Sequence, residues 1–307
     1  MHESNTENKQ ADQAMMSHSQ TSLDKVKGNR KLADIYYQQV MNGGNTKAIG
    51  QTLGEDFTFT IPTHPEIYKG IAGFTDEVEG LHGAFPDVHL NVHHRWIFED
   101  LILGLWTGTG THIGEKPLST PRGPLPATGR PFKIEGISWI KADGEQLKEN
   151  LANEDTLKII HDLGVKDCSI LYTNAAAALV SAVQFGEQST NSRDNNSELY
   201  SPGMILNHPL LIDQARGKAG IKSFMQRYWG AFEDVDYQMT EGKLEGNVNA
   251  YRWTFEATHK YNFFGIPATN KRLKHQGVTV CVMDALGQVE EMYVNENLIV
   301  LIGQMEA

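Results

Sequence analysis

Two hydrophobic rhythms alternate along the chain. Arg30 to Val40 (RKLADIYYQQV) spaces its apolar residues three and four apart, as one face of a helix does, and Asn42-Gly43-Gly44-Asn45 stops it. Phe57-Thr58-Phe59-Thr60-Ile61 alternates at every second residue, the rhythm of a strand. Phe74 to Phe85 returns to helical spacing ahead of a turn at Pro86-Asp87. Three strand-like runs follow, Val88 to Phe98, Leu101 to Thr111 and Phe132 to Lys141. Asp143-Gly144 marks a turn, Leu147 to Asp155 reads as the last strand, and a short helix from Leu157 to Leu163 closes at Gly164. Helices followed by a run of antiparallel strands predict an α+β fold.

The pattern then begins again. Gly83-Ala84-Phe85-Pro86-Asp87-Val88 returns as Gly230-Ala231-Phe232-Glu233-Asp234-Val235, and Trp106-Thr107 to Thr111-His112 returns as Trp253-Thr254 to Thr258-His259, each 147 positions on (83 to 230, 106 to 253). Gly70-Ile71-Ala72-Gly73 matches Gly217-Lys218-Ala219-Gly220 at the same offset. His64-Pro65 matches His208-Pro209, Pro126-Ala127-Thr128 matches Pro267-Ala268-Thr269, and Asn153-Glu154-Asp155 matches Asn295-Glu296-Asn297 at slightly smaller offsets. Collinear matches with a slow drift are what duplication followed by small loop changes leaves behind. The expected organisation is a disordered polar tail over residues 1–25, a first domain over 26–166 and a second over 167–307. In the second copy Ala175 to Phe185 reads as a helix and Ser189 to Glu198 as an exposed loop.

Composition narrows the classes. A length of 307 residues suits two domains, and 40% hydrophobic with 21% charged residues is ordinary for a soluble globular chain. No stretch approaches the ~18 apolar residues of a membrane span, and the polar start MHESNTENKQADQ has no secretory core. Cys168 and Cys281 stand apart and make no metal or redox motif, which fits the cytoplasm. A net charge of −11 without a basic cluster argues against nucleic acid as a partner.

An ordered set of motifs identifies the first copy further. Phe85-Pro86-Asp87, Gly110-Thr111-His112-Ile113-Gly114-Glu115, Pro126-Ala127-Thr128-Gly129-Arg130, Asp155 and Leu163-Gly164 together resemble the SnoaL-like polyketide cyclases (ester cyclases) of the nuclear transport factor 2-like superfamily. The resemblance covers most of residues 30–165 and, less closely, 205–303, where Phe264-Gly265-Ile266-Pro267-Ala268-Thr269 is the best local match. It implies two tandem cone-shaped domains, each a curved antiparallel sheet wrapped by helices around an apolar pocket. It also implies cofactor-free intramolecular aldol cyclisation with one aspartate as acid and base, and Asp155 stands where that aspartate belongs. The chain departs from the family in a Pro-rich insertion, KPLSTPRGPL, and in Ser138 and Thr279, where the family often has histidine. Asn297 replaces the key aspartate in the second copy, which is therefore expected to be degenerate. Single domains of the superfamily commonly dimerise through their sheets, so the fused copies are expected to form an intramolecular pseudo-dimer, open to further self-association.

The candidate catalytic residues are Asp155 and His112. A carboxylate in an apolar pocket has its pKa raised and becomes a competent base for a proton next to a carbonyl. A histidine at a strand end can polarise the carbonyl oxygen. Asp155 is equally placed to N-cap the helix starting at Thr156, and His112 to hold its strand end. Asn153, Trp106, Trp139, His64 and Ser138 are the candidate substrate-binding residues, and Asn297, Asn295, His259, Trp253 and His208 the second-copy pocket. Strand alternation puts Leu151, Asn153 and Asp155 on one face, as it does Tyr293, Asn295 and Asn297, with Glu296 aimed the other way. Glu149, Glu290 and Glu291 are expected at the surface, and His89, His93 and His94 lack the convergent carboxylate of a metal site, so no metal or cofactor is expected. The resulting expectation is a cyclase-like enzyme acting on a small apolar carbonyl compound. A non-catalytic small-molecule-binding protein, or an isomerase or hydrolase on the same fold, is the alternative.

Overall fold

The computed structural model describes residues 20–61, 64, 66–120, 123–165, 199–211 and 214–306. The tail up to residue 19, the boundary between 166 and 167, the helix expected at Ala175 to Phe185 and the loop expected at Ser189 to Glu198 lie outside the described residues. By packing, the chain divides into two compact units, residues 1–127 with 137–152 and residues 128–136 with 153–307.

The first helix, α1, is formed by residue 20, runs to 34 and continues as a π-helix at Ile35–Met41. It takes in residues 20–25, which composition assigns to a disordered tail. Apolar periodicity does not show this first part, because polar interactions hold it. Gln20 Nε2 donates to Asp24 Oδ1 (3.0 Å), one turn on. The buried Asn29 donates to the Phe98 carbonyl (2.8 Å) and accepts from the Gly144 N–H (2.8 Å), which ties α1 to two turns of the sheet. After a 3₁₀ turn at Thr46–Gln51 come β1 (Leu53–Thr60), β2 (Tyr68–Lys69), α2 (Gly70–Ala84), β3 (His89–Ile97), β4 (Leu101–Thr111), β5 (Pro131–Ala142), β6 (Leu147–Glu154) and α3 (Thr156–Asp162). The six strands form one sheet in the order β2-β1-β6-β5-β4-β3. β1 runs parallel to β6, with Phe59 opposite Asn150, so the sheet is mixed where an antiparallel one was expected. Phe74 of α2 centres an aromatic core, 5.8 Å from Tyr36, 5.3 Å from Phe57 and 5.0 Å from Phe59 between ring centroids.

The second copy repeats the plan with β7 (Tyr200–Asn207), β8 (Ala215–Arg216), α4 (Gly217–Trp229), β9 (Phe232–Glu245), β10 (Val248–His259), β11 (Arg272–Met283), β12 (Val289–Glu296) and α5 (Leu298–Glu306). Its sheet has the order β8-β7-β12-β11-β10-β9, the same as the first, with β7 again parallel to β12. Tyr228 of α4 centres this core, 5.6 Å from Phe263 and 6.0 Å from Phe232.

Candidate functional site

Asp155 ends β6 and opens α3. Its carboxylate accepts the Lys158 N–H at 3.0 Å, so it is the helix N-cap. It is buried, and burial pushes its carboxyl up to about 7, against the lowering effect of the hydrogen bond and charge of Lys158. Asn297 does the same at the head of α5, its Oδ1 accepting the Val300 N–H at 3.3 Å. The two readings of Asp155 from sequence, a buried carboxyl and a cap, thus meet in one side chain.

His112 is fully buried, its ring 5.0 Å from Phe85, and burial lowers its pKa, which keeps it neutral near pH 7. His259 is buried in the same way, with Nδ1 3.0 Å from Thr269 Oγ1, and its pKa is also lowered by burial. Trp106 donates its indole N–H to Ser138 Oγ at 3.0 Å, and Trp253 donates to Thr279 Oγ1 at the same 3.0 Å. A buried indole N–H needs an acceptor, which accounts for a hydroxyl residue at both positions. Trp139, Asn153 and Asn295 are buried, whereas His64 is only partly so, with its Nδ1 3.0 Å from the Glu66 carbonyl and its ring 4.3 Å from Tyr68. A groove of 460 Å³ between α1 and β3 is lined by polar residues including Arg30, Asp34, His93 and Arg95, and no predicted site residue lines it.

The face of the last strand that meets the helices is the one opposite Asn153 and Asn295. In the first copy Asn150 donates to Tyr36 Oη of α1 at 2.7 Å, and Glu154 has the same strand parity as Asn150. In the second copy the equivalent face carries Glu296, which is 1% exposed and has three polar groups against its carboxylate. Tyr228 Oη of α4 donates to Oε2 at 2.6 Å, His275 Nε2 of β11 lies 2.7 Å from the same oxygen, and His208 Nε2 lies 2.8 Å from Oε1. Burial alone would raise the Glu296 carboxyl, but His208, by charge and hydrogen bond, and His275 outweigh it and hold the group well below the usual carboxylate range. His208 was expected in the second-copy pocket; Glu296, His275 and Tyr228 were not. The signal was available in the repeat, because the buried His275 and Tyr228 stand where the first copy has the apolar Ile134 and Leu81 (134 to 275, 81 to 228). Among the described residues no group of three or more His, Cys, Asp and Glu side chains could hold a metal ion, and no helix is long and apolar enough to cross a membrane.

Comparison with known proteins bears on both copies. The SnoaL-like domain family matches residues 34–150, and the SnoaL-like polyketide cyclase family matches residues 181–304. No curated protein matches the chain. Among solved structures, a candidate polyketide cyclase from Acidithiobacillus ferrooxidans is 23% identical, over 44% of this chain and 94% of its own, with a TM-score of 0.38. TsrD from Streptomyces laurentii is 18% identical over 45% of this chain and 96% of its own, with a TM-score of 0.39. A protein of ketosteroid isomerase-like fold from Catenulispora acidiphila, solved with trimethylamine, is 13% identical over 43% of this chain and 92% of its own, with a TM-score of 0.36. With matches to the family over both copies, the chain is a tandem of two SnoaL-family domains.

Proposed function

We propose that the chain is a cofactor-free enzyme that moves a proton next to the carbonyl group of a small apolar compound, as an intramolecular aldol cyclisation requires, with Asp155 as the base and then the acid. The observation that supports it is the Asp155 carboxyl, buried and raised to about 7. A group with that value takes a proton near neutral pH and gives it back in the next step. Membership of the SnoaL family supports the same class of chemistry. The test is deuterium uptake from D2O at the carbon next to the carbonyl of 2-tetralone, followed by NMR. The full chain should accelerate the uptake, and Asp155→Asn should slow it about a hundredfold or more. A second reading, a small-molecule binder without catalysis, is favoured by one observation: the cap is shared with Asn297, so capping alone accounts for Asp155. A full chain that binds 2-tetralone without accelerating uptake would favour the binder.

A further inference from the structure

We infer that the second copy carries an acid/base site of its own, in which His275 is the general base toward a small carbonyl compound and Glu296 is the positioning carboxylate. The inference shares with the preceding reading the class of substrate, but it uses none of the same residues.

The geometry assigns each group its state. Glu296 accepts from Tyr228 and His275 at Oε2, and His208 Nε2 lies 2.8 Å from Oε1, so the carboxylate is held ionised. Such a carboxylate, held charged by its histidine neighbours, orients and stabilises rather than taking the proton itself. His208 is also committed, because its Nδ1 accepts the Leu210 N–H at 3.1 Å, so the ring's proton sits on Nε2 and faces Glu296. His275 differs. Its Nε2–H is turned to Glu296, and its Nδ1 has no hydrogen-bond partner among the described residues. A carboxylate that fixes one ring nitrogen and leaves the other as a lone pair is the arrangement that makes an imidazole a base, and it stabilises the imidazolium that results.

The surroundings are aromatic. The His275 ring lies 5.3 Å from Phe255 and 5.8 Å from Trp253. Gly277 makes the approach of Trp253 possible, since a Cβ there would come within 2.4 Å of the indole. Nearby, Phe264 is buried with φ at 45°, a left-handed conformation that bulky residues rarely adopt, and it packs 6.0 Å from Phe224, which in turn lies 4.6 Å from His208. The first copy has isoleucine and leucine where His275 and Tyr228 stand, so this chemistry belongs to the second copy alone. In the step itself, the Nδ1 lone pair takes a proton from the carbon next to the carbonyl. The C–H electron pair becomes the enolate, with its charge on oxygen, and return of the proton restores the starting imidazole.

The experiment is deuterium uptake by 2-tetralone in D2O, with the full chain carrying Asp155→Asn, so that only the second copy is read. Adding His275→Gln should lower the remaining rate about a hundredfold. Adding Glu296→Gln instead should lower it and move the midpoint of its pH profile downward, because the imidazolium loses its carboxylate. A fold-independent check uses the unaltered chain. Diethyl pyrocarbonate should acylate His275, and 2-tetralone should slow the acylation. If His275→Gln leaves the Asp155→Asn rate unchanged, or if native His275 is never acylated, the inference falls while the Asp155 reading stands. If His275→Gln slows uptake in the parent chain while Asp155→Asn does not, the Asp155 reading falls and this one stands. If the chain accelerates no uptake, both fall.

Discussion

Asp155 and Asn297 do the same structural work in the two copies, each accepting through its side chain the N–H three residues on, Lys158 at 3.0 Å and Val300 at 3.3 Å. Asparagine and aspartate cap helices about equally well. Asp155→Asn therefore separates the two roles of Asp155: the cap remains and the exchangeable proton goes. Circular dichroism should be unchanged, while turnover of any substrate that depends on Asp155 should fall about 10²- to 10⁴-fold. Loss of helix content together with activity would mean that asparagine cannot replace the cap here.

The same variant should change the pH dependence of stability. Burial raises the Asp155 carboxyl from 3.8 to about 7 in the folded chain. Between those values the folded state holds a proton that the unfolded chain has released, so this group makes stability fall as pH rises from about 4 to about 7. Asparagine carries no such proton. The stability of Asp155→Asn relative to the parent should thus rise from near zero at pH 4 to a gain on the order of 1–4 kcal/mol at pH 8. Urea unfolding across that range measures it, and a flat difference would show that Asp155 is solvated in the folded chain.

The matched indole bonds test whether the copies are energetically alike. Ser138→Ala leaves the Trp106 N–H buried without its acceptor, and Thr279→Val does the same to Trp253. Each should cost about 1–3 kcal/mol in urea unfolding. A cost near zero in either would mean that the indole finds another acceptor.

The duplicated architecture could be read from the sequence because its markers are local: Trp106 and Trp253 lie mid-strand, and His112 and His259 at the end of the same strand, at fixed offsets in both copies. The parallel pairing of β1 with β6 could not, since hydrophobic alternation sets which face is buried but not which strand lies alongside. Strand parity also sets Glu296 on the face away from its strand neighbour Asn295. Parity does not say which face the helices cover, however, and Asn150 with Tyr36 and Glu296 with Tyr228 show that it is the face opposite Asn153 and Asn295. A lone glutamate near Glu290 and Glu291 looks like surface. Only when His275 and Tyr228 are set beside Ile134 and Leu81 do polar side chains stand out at interior positions.

Glu296 gives the opposite pH signature from Asp155. Its folded value is depressed because His208 and His275 outweigh burial, with Tyr228 the remaining group bonded to the carboxylate. Its stabilisation is therefore fully present above the ordinary value of 4.5 and is lost as pH falls toward the lower folded value. Glu296→Gln should remove this acid limb. At pH 7 it should also destabilise the chain by about 3–5 kcal/mol, because the new amide presents N–H donors to His208, His275 and Tyr228, which already donate. Urea unfolding of the variant and the parent at pH 3, 5 and 7 measures both effects. The difference between them should be largest at pH 7 and shrink toward pH 3; a difference independent of pH would mean that Glu296 is neutral in the folded chain and that the histidines are not held by its charge.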